Sequence, residues 1–334
     1  MTVPSQAASA NGGSPRRVLV TGCAGFLGSH LAERLLADGL HVRGIDCFTD
    51  FYPRKLKEAN VAGLLRNPAF ELHERDISRD QIDDLVEEAS VVYHLSAQAG
   101  VRGSFGDGFE TYLRHNVRAT QRLLESAVRH PVEAIVYASS SSVYGNAVSQ
   151  PTPETAMRAP VSPYGMTKCA TEDLAGVYGR NHGLHLVGLR YFTVYGPRQR
   201  PDMAFARFIA AANAGEPITV LGDGLQVRDF TYVDDVVDAT VRAAERGTAD
   251  TVYNIGGGTP VTLIDAIRMI EEKIGRPIQI DYRHQARGDA RHTSADTSRA
   301  REELGFSPSV SLEEGLGRQV EWIARGARAK AGVA

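Results

Sequence analysis

The stretch Val18-Leu19-Val20-Thr21-Gly22-Cys23-Ala24-Gly25-Phe26-Leu27-Gly28 decides the fold. Val18–Val20 reads as a short buried strand, and glycines spaced G-x-x-G-x-x-G follow at once. Gly22 lets the chain turn sharply off the strand. Gly25 lets backbone approach a pyrophosphate, and Gly28 lets the next helix pack close to the sheet. That helix offers unpaired N–H groups to phosphates at its start. A glycine motif alone is a weak signal. Here a strand precedes it and an amphipathic segment follows, His30–Asp38, with Leu31, Leu35 and Leu36 on one face. The context makes it a dinucleotide site.

Working outward, Asp46 ends the next strand, 18 residues after Gly28. A carboxylate there accepts hydrogen bonds from both ribose hydroxyls of NAD and repels a 2′-phosphate. The following Cys47-Phe48-Thr49-Asp50 offers no arginine for such a phosphate, so NAD is expected rather than NADP. Asp76-Ile77 follows the third strand, where adenine would lie. Further strands are expected at His41–Ile45, Phe70–Glu74, Val91–His94, Ile135–Ala138 and Leu186–Leu189, with a helix over Asn116–Val128. Near-continuous apolar strands alternating with helices predict an α/β fold: a Rossmann-type, doubly wound parallel sheet covered on both faces. After about residue 195 the rhythm breaks. Strands near Ile218–Leu221 and Asp229–Val233 mix with helices near Ala204–Ala214, Asp235–Arg246 and Leu263–Ile274. The expected division is a tail over 1–15, an NAD-binding unit over 16–190, and a smaller α/β nucleotide-sugar lobe mainly over 191–324. Some segments of that lobe return to the sheet, and 325–334 is a second tail.

Composition narrows the function. With 37 basic and 40 acidic residues the formal charge is −3, which argues against a broad nucleic-acid surface. Hydrophobic residues at 43% and charged residues at 23% are those of an ordinary globular chain. No apolar run reaches the length of a membrane span. Three cysteines (Cys23, Cys47, Cys169) make no disulfide framework and no pair has zinc-ligand spacing, so no metal and a cytoplasmic location are expected.

The chemistry points to Tyr164-Gly165-Met166-Thr167-Lys168. At i, i+4 on a helix the tyrosine and lysine share one face. A phenol is a poor base at neutral pH. A neighbouring ammonium is expected to favour the phenolate, and the lysine can also hold a nicotinamide ribose. Such a tyrosine takes the proton of a secondary alcohol as hydride leaves. Upstream, Tyr137-Ala138-Ser139-Ser140-Ser141-Ser142-Val143-Tyr144-Gly145 ends a strand in hydroxyls at the carboxyl edge of the sheet, where ligands bind.

With these motifs in view, the chain resembles the extended short-chain dehydrogenase/reductases of the NAD-dependent nucleotide-sugar epimerase/dehydratase type. The likeness spans Arg17 to about Leu316. It includes Thr21–Gly28, His94-Leu95-Ser96-Ala97-Gln98-Ala99, Asn116-Val117, Ser139–Gly145, Tyr164–Lys168, Arg190–Pro197 and Arg228–Asp235. The resemblance makes Tyr164 the base, Lys168 its partner and Ser140 the active-site hydroxyl. It implies that a tightly held, recycled NAD contacts Phe26, Leu27, Leu95, Ser96, Ala97, Gln98, Asn116 and Tyr191. It further implies a homodimer through helices near Gly108–Arg129 and Tyr164–Asn181.

Within that family, dehydratases and decarboxylases commonly carry acids where this chain has Ser141 and Ser142, which favours plain epimerisation. The run Arg190-Tyr191-Phe192-Thr193-Val194-Tyr195-Gly196-Pro197-Arg198-Gln199-Arg200-Pro201-Asp202-Met203-Ala204 resembles the UDP-glucuronate 4-epimerases. By that resemblance Thr193, Arg200 and Ser142 hold the sugar carboxylate, with Met203, Ala204 and Phe205 beside the substrate. Arg228, Arg287 and Asp289 match the nucleotide-binding segments, although Ala286 stands at the family's usual arginine position. A solvated or phosphate-binding role stays open for Arg200, and a surface salt bridge for Arg228 and Arg287. The alternatives are a neutral-sugar 4-epimerase acting on UDP-glucose or UDP-N-acetylglucosamine, a UDP-glucuronate decarboxylase, and a non-catalytic NAD-binding regulator.

Overall fold

The computed structural model describes residues 16–284 and 290–331. The chain alternates β1 (Arg17–Thr21), α1 (Phe26–Ala37), β2 (His41–Asp46), α2 (Arg54–Val61), β3 (Phe70–Glu74), α3 (Asp83–Glu87) and β4 (Val91–His94). Then come α4 (Phe109–Tyr112), α5 (Ala119–Arg129), β5 (Ala134–Ser140), α6 (Pro163–His182) and β6 (Leu186–Tyr191). The later part holds β7 (Thr193–Tyr195), α7 (Ala204–Ala214), β8 (Ile218–Leu221), β9 (Val227–Tyr232), α8 (Val233–Arg246) and β10 (Thr251–Ile255). It ends with β11 (Pro260–Thr262), α9 (Leu263–Ile274), β12 (Ile280–Arg283), β13 (His292–Thr293) and α10 (Leu312–Ala331).

Seven strands pair in parallel in the order β10-β6-β5-β4-β1-β2-β3. The order reverses between β1 and β4, so the crevice at their carboxyl ends is where ligands of such sheets bind. Alternate residues of β1 face opposite layers. Val18 and Val20 join the core that includes Leu31, Leu35 and Val236, whereas Leu19 joins Leu123, Leu124 and Ala175 on the other side. With both faces covered, every strand residue profits from being apolar, each such side chain contributing about 1.5–3 kcal/mol. A smaller sheet forms around β9, which pairs with β7, β11 and β13, and β8 pairs with β12.

The expected strands of the main sheet are present, and the expected helices differ mainly at their starts. The first opens at Phe26 rather than His30, directly out of the glycine turn. The helix expected from Asn116 reaches back to Phe109 through a π turn over Leu113–Arg118, and that wider turn hides the 3.6-residue period. β9 covers Val227–Tyr232 rather than Asp229–Val233, and α8 opens at Val233, two residues before the expected start. β10 carries a fully buried Asn254, whose amide donates to the Thr152 and Asp296 carbonyls, so its sequence does not read as a core strand. Among the described residues no helix is long and apolar enough to cross a membrane.

Candidate active site

The cleft at the sheet's reversal point, about 410 Å³, is lined at one end by Gly22, Gly25, Phe26, Leu27 and Gly28. Gly22 has φ +72°. The N–H groups of Gly22 and Cys23 both donate to the Ile45 carbonyl, at 2.7 and 3.2 Å, which bends the chain back over β2. A Cβ on Gly28 would lie 2.1 Å from the Gly22 carbonyl oxygen, so α1 can seat only with glycine there. No side chain caps α1, and its first N–H groups stay available to an anion.

Asp46 stands beside this turn. Its carboxylate accepts from the N–H of Ala24 (3.1 Å) and of Phe48 (2.8 Å), which aim it while leaving lone pairs for a ligand. Burial pushes its pKa above the ordinary value. Lys57, for which the sequence holds no signal, lies close by. It donates to Thr49 O (2.6 Å) and Oγ1 (3.1 Å) and sits over the Tyr52 ring. At the far end Asp76 accepts from the Ser78 N–H (2.9 Å) and hydroxyl (2.6 Å); burial raises its carboxyl, but these donors outweigh burial and hold it low. Ile77 lines the cleft with it. Cys47 and His115 join Asp76 there, with ligand atoms within 4.8 Å of one another, a grouping not visible in the chain spacing. Burial lowers the His115 pKa and favours its neutral form.

Leu95, Ser96, Ala97 and Gln98 line the middle of the cleft. Asn116, expected beside the cofactor, does not line it. Its carboxamide accepts from Gln98 N–H (2.7 Å) and donates to the Gln98 carbonyl (3.1 Å) and the Thr167 hydroxyl (2.9 Å). Asn116 therefore ties the loop after β4 to α6 from inside the π turn.

Ser162 caps α6 by accepting from the Gly165 N–H at 3.1 Å, and Pro163 opens the helix. A Cβ on Gly165 would sit 2.6 Å from the Ser142 carbonyl oxygen, so glycine between Tyr164 and Lys168 lets the helix close on the serine turn. Ser139, Ser140, Ser141, Ser142, Tyr164, Lys168 and Tyr191 all line the cleft. The Ser140 hydroxyl accepts from Ser142 N–H at 3.1 Å and lies near enough to the Tyr164 phenol to pull its pKa down.

Lys168 is not among the groups that shift the Tyr164 phenol in the protein alone. Burial drives the Tyr164 pKa up, and the groups that pull it back are the Ser140 hydroxyl and the Arg200 guanidinium. Lys168 instead donates to the Ala138 carbonyl at 2.7 Å, and burial lowers its pKa to about 8. Behind the serines Glu172 forks onto Arg190 (2.8 and 2.7 Å) and accepts from the Ser139 hydroxyl. Arg190 also donates to the Tyr144 hydroxyl, which donates to Asn254, each at 2.7 Å.

Thr193, Arg200 and Met203 complete the lining, together with Phe51 and Tyr52. Three residues expected to contact the substrate lie outside this cleft lining. Phe205 is 1% exposed and packs in the core against Phe230, with ring centroids 4.5 Å apart, because α7 turns that face inward. Ala204 is exposed at the start of α7 and does not line the cleft. Arg228 lies on β9 outside the cleft lining and donates to the Val227 carbonyl at 2.8 Å. Arg287 and Asp289 fall outside the described residues.

The residues present fit NAD: a glycine cradle that a Cβ would fill, an uncapped helix start, and a buried carboxylate at the end of β2. The comparisons agree. Residues 18–256 match the model of the NAD dependent epimerase/dehydratase family. The chain is 40% identical over 309 residues to an uncharacterized UDP-glucose epimerase of Bacillus subtilis, covering 92% of this chain and 98% of that one. It is 37% identical to a UDP-glucuronate 4-epimerase of Thermodesulfobacterium geofontis, covering 91% and 95%. The solved UDP-glucuronic acid 4-epimerase of Bacillus cereus, in complex with UDP-glucuronic acid and NAD, superposes with a TM-score of 0.90 at 42% identity, covering 92% of this chain and 99% of that one. A glycine-cradled dinucleotide cleft lined by a tyrosine and lysine, matched over nine-tenths of the chain, thus assigns the protein to the NAD-dependent epimerase/dehydratase family.

Proposed function

We propose that the protein is a nucleotide-sugar 4-epimerase, an isomerase that interconverts UDP-glucuronate and UDP-galacturonate through a 4-keto sugar. The observation that carries this reading is the convergence of the Tyr164 phenol, the Ser140 hydroxyl and the Arg200 guanidinium on one cleft wall-to-wall with Thr193 and Ser142. When bound, NAD would supply a positively charged hydride acceptor that later returns the hydride. Tyr164 takes the proton of the 4-hydroxyl and gives it back, the reversible role of a general acid–base. The Ser140 hydroxyl orients the phenol and bears part of the developing charge. Lys168 adds an ammonium to the same pocket. Arg200, Thr193 and Ser142 hold the carboxylate, as an arginine fork does. The 4-keto acid loses CO₂ when its carboxylate bond stands perpendicular to the carbonyl plane, and this grip keeps the bond out of that alignment. Asp46 selects the ribose diol, and Asp76 with Ile77 meets the adenine. Arg228, Arg287 and Asp289 are assigned to the nucleotide of the substrate.

A neutral UDP-sugar is the second reading, favoured by one observation: the Arg200 fork already binds Asp202 in the chain itself. Incubation with NAD and each of UDP-glucuronate, UDP-glucose and UDP-N-acetylglucosamine, with products resolved by chromatography, decides between them. Fast turnover of the neutral sugars with none of the acid would overturn the proposal, and CO₂ release would replace it with decarboxylation. We further propose a cytoplasmic homodimer joined through the helices near Gly108–Arg129 (α4 to α5) and Tyr164–Asn181 (α6), supported by Val177, 46% exposed on α6 beside the Tyr178–Gln121 bridge to α5. Sedimentation at micromolar concentration tests the dimer; a monomer there would exclude it.

A further inference from the structure

The flat edge of Arg200 is already engaged. Its Nε and Nη2 donate to the two oxygens of Asp202 at 2.9 and 3.0 Å, and its guanidinium lies over the Phe51 ring at 5.7 Å. This two-pronged contact is the geometry in which arginine takes any carboxylate. Asp202 therefore occupies the donors that a sugar acid would use. The other edge of the guanidinium could still be offered, but two carboxylates would then share one positive charge.

The backbone beneath is anchored on several sides. Arg198, at φ +62°, pairs with Glu33 of α1 (2.6 Å) and reaches the Ser29 hydroxyl (3.3 Å). The Gln199 side chain donates to the Val194 carbonyl (3.0 Å) and accepts from Ala206 N–H (3.0 Å) and from the Gln319 amide of α10 (2.8 Å). Met203 N–H closes the turn onto the Arg200 carbonyl at 3.1 Å. A change of partner thus falls to the side chains of 200 and 202. These are 20% and 37% exposed, so water can assist the exchange.

We propose that Asp202 is a built-in competitor for Arg200, a carboxylate of the chain that stands in for the sugar's own and sets how tightly an acid sugar is held. The inference rests on the reading of Arg200 as the carboxylate clamp. A competitor weakens the grip on both acid epimers, so that either is released readily, and leaves neutral sugars untouched.

The test uses NAD-loaded protein and steady-state kinetics with UDP-glucuronate and UDP-glucose for the wild type, Asp202→Asn and Arg200→Ala. Asp202→Ser serves as a second variant, and melting curves check folding. Removing the competing charge is expected to lower KM for UDP-glucuronate about two- to five-fold, the range of an exposed ion pair. KM for UDP-glucose stays put, and the gain shrinks at high salt. A KM for the acid that rises or stays unchanged in both Asp202 variants overturns the proposal and leaves Asp202 as an orienting partner only. If Arg200→Ala erases the preference for the acid while the Asp202 variants bring no gain, competition alone fails. If Arg200→Ala turns over the acid as the wild type does, the acid-sugar reading itself fails and takes this inference with it.

Discussion

At the Gly22–Gly28 end of the cleft the walls are backbone, whereas at the Thr193–Arg200 end they are charged and hydroxylic side chains brought together from distant segments. In the first region one atom in the wrong place is decisive, because a Cβ at residue 28 would overlap the Gly22 carbonyl. In the second, single groups are replaceable in space but not in charge. Arg200 has Asp202 and Phe51 as partners, and behind that wall Glu172 has Arg190, Ser139 and Arg158. Steric sites read out in the sequence as spacing. Electrostatic sites read out only when the partners are seen together.

The sharpest way to break this comparison is Tyr164→Phe. It keeps the ring that meets Tyr112 edge-on at 6.2 Å and deletes the phenol. Turnover should fall by about 10²–10⁴ while NAD binding, followed by fluorescence, is retained. Near-normal rates would show that the side-chain end holds no acid–base group of consequence. Next in size is Glu172→Ala. Glu172 and Arg190 are each about 5% exposed in their side chains, and breaking a buried pair leaves an uncompensated guanidinium. The expected cost is about 3–5 kcal/mol, read as a lowered denaturation midpoint.

Gly28→Ala probes the backbone end. The new methyl must push α1 off β1, at about 1–3 kcal/mol, and NAD affinity should fall while the Tyr164–Lys168 helix, seated separately on Ser142, stays in place. Circular dichroism with NAD titration checks both parts. The smallest effect concerns pH. The ammonium form of Lys168 is the useful one, and burial lowers its pKa to about 8, so its charge is lost as pH rises through that value. kcat/KM should therefore decline on the alkaline side from about pH 8. Lys168→Arg, with a guanidinium charged at every accessible pH, should move that limb upward at a lower plateau.

What could be read in advance follows the same line. The strands β1 to β6, the glycine cradle, Asp46 and the Tyr164–Lys168 face all lie in short contiguous runs where local sterics and periodicity act. The π turn at Leu113–Arg118 escaped because its period is not that of a helix. Asn116 sits inside a motif match and Phe205 directly follows one, yet one staples α6 to the loop after β4 and the other fills the core. Motif membership does not say which way a side chain turns.

By itself the sequence determined a doubly wound sheet with a dinucleotide turn and a tyrosine–lysine helix, because backbone sterics and apolar periodicity are properties of neighbours in the chain. Only the tertiary structure decided that burial raises the Tyr164 phenol, that Lys57 stands by Asp46, that Glu172 locks Arg190, and that Asp202 takes the Arg200 fork. Proton affinities and ion pairs depend on desolvation and on distances between groups. Both come into being only when remote segments close around the cleft.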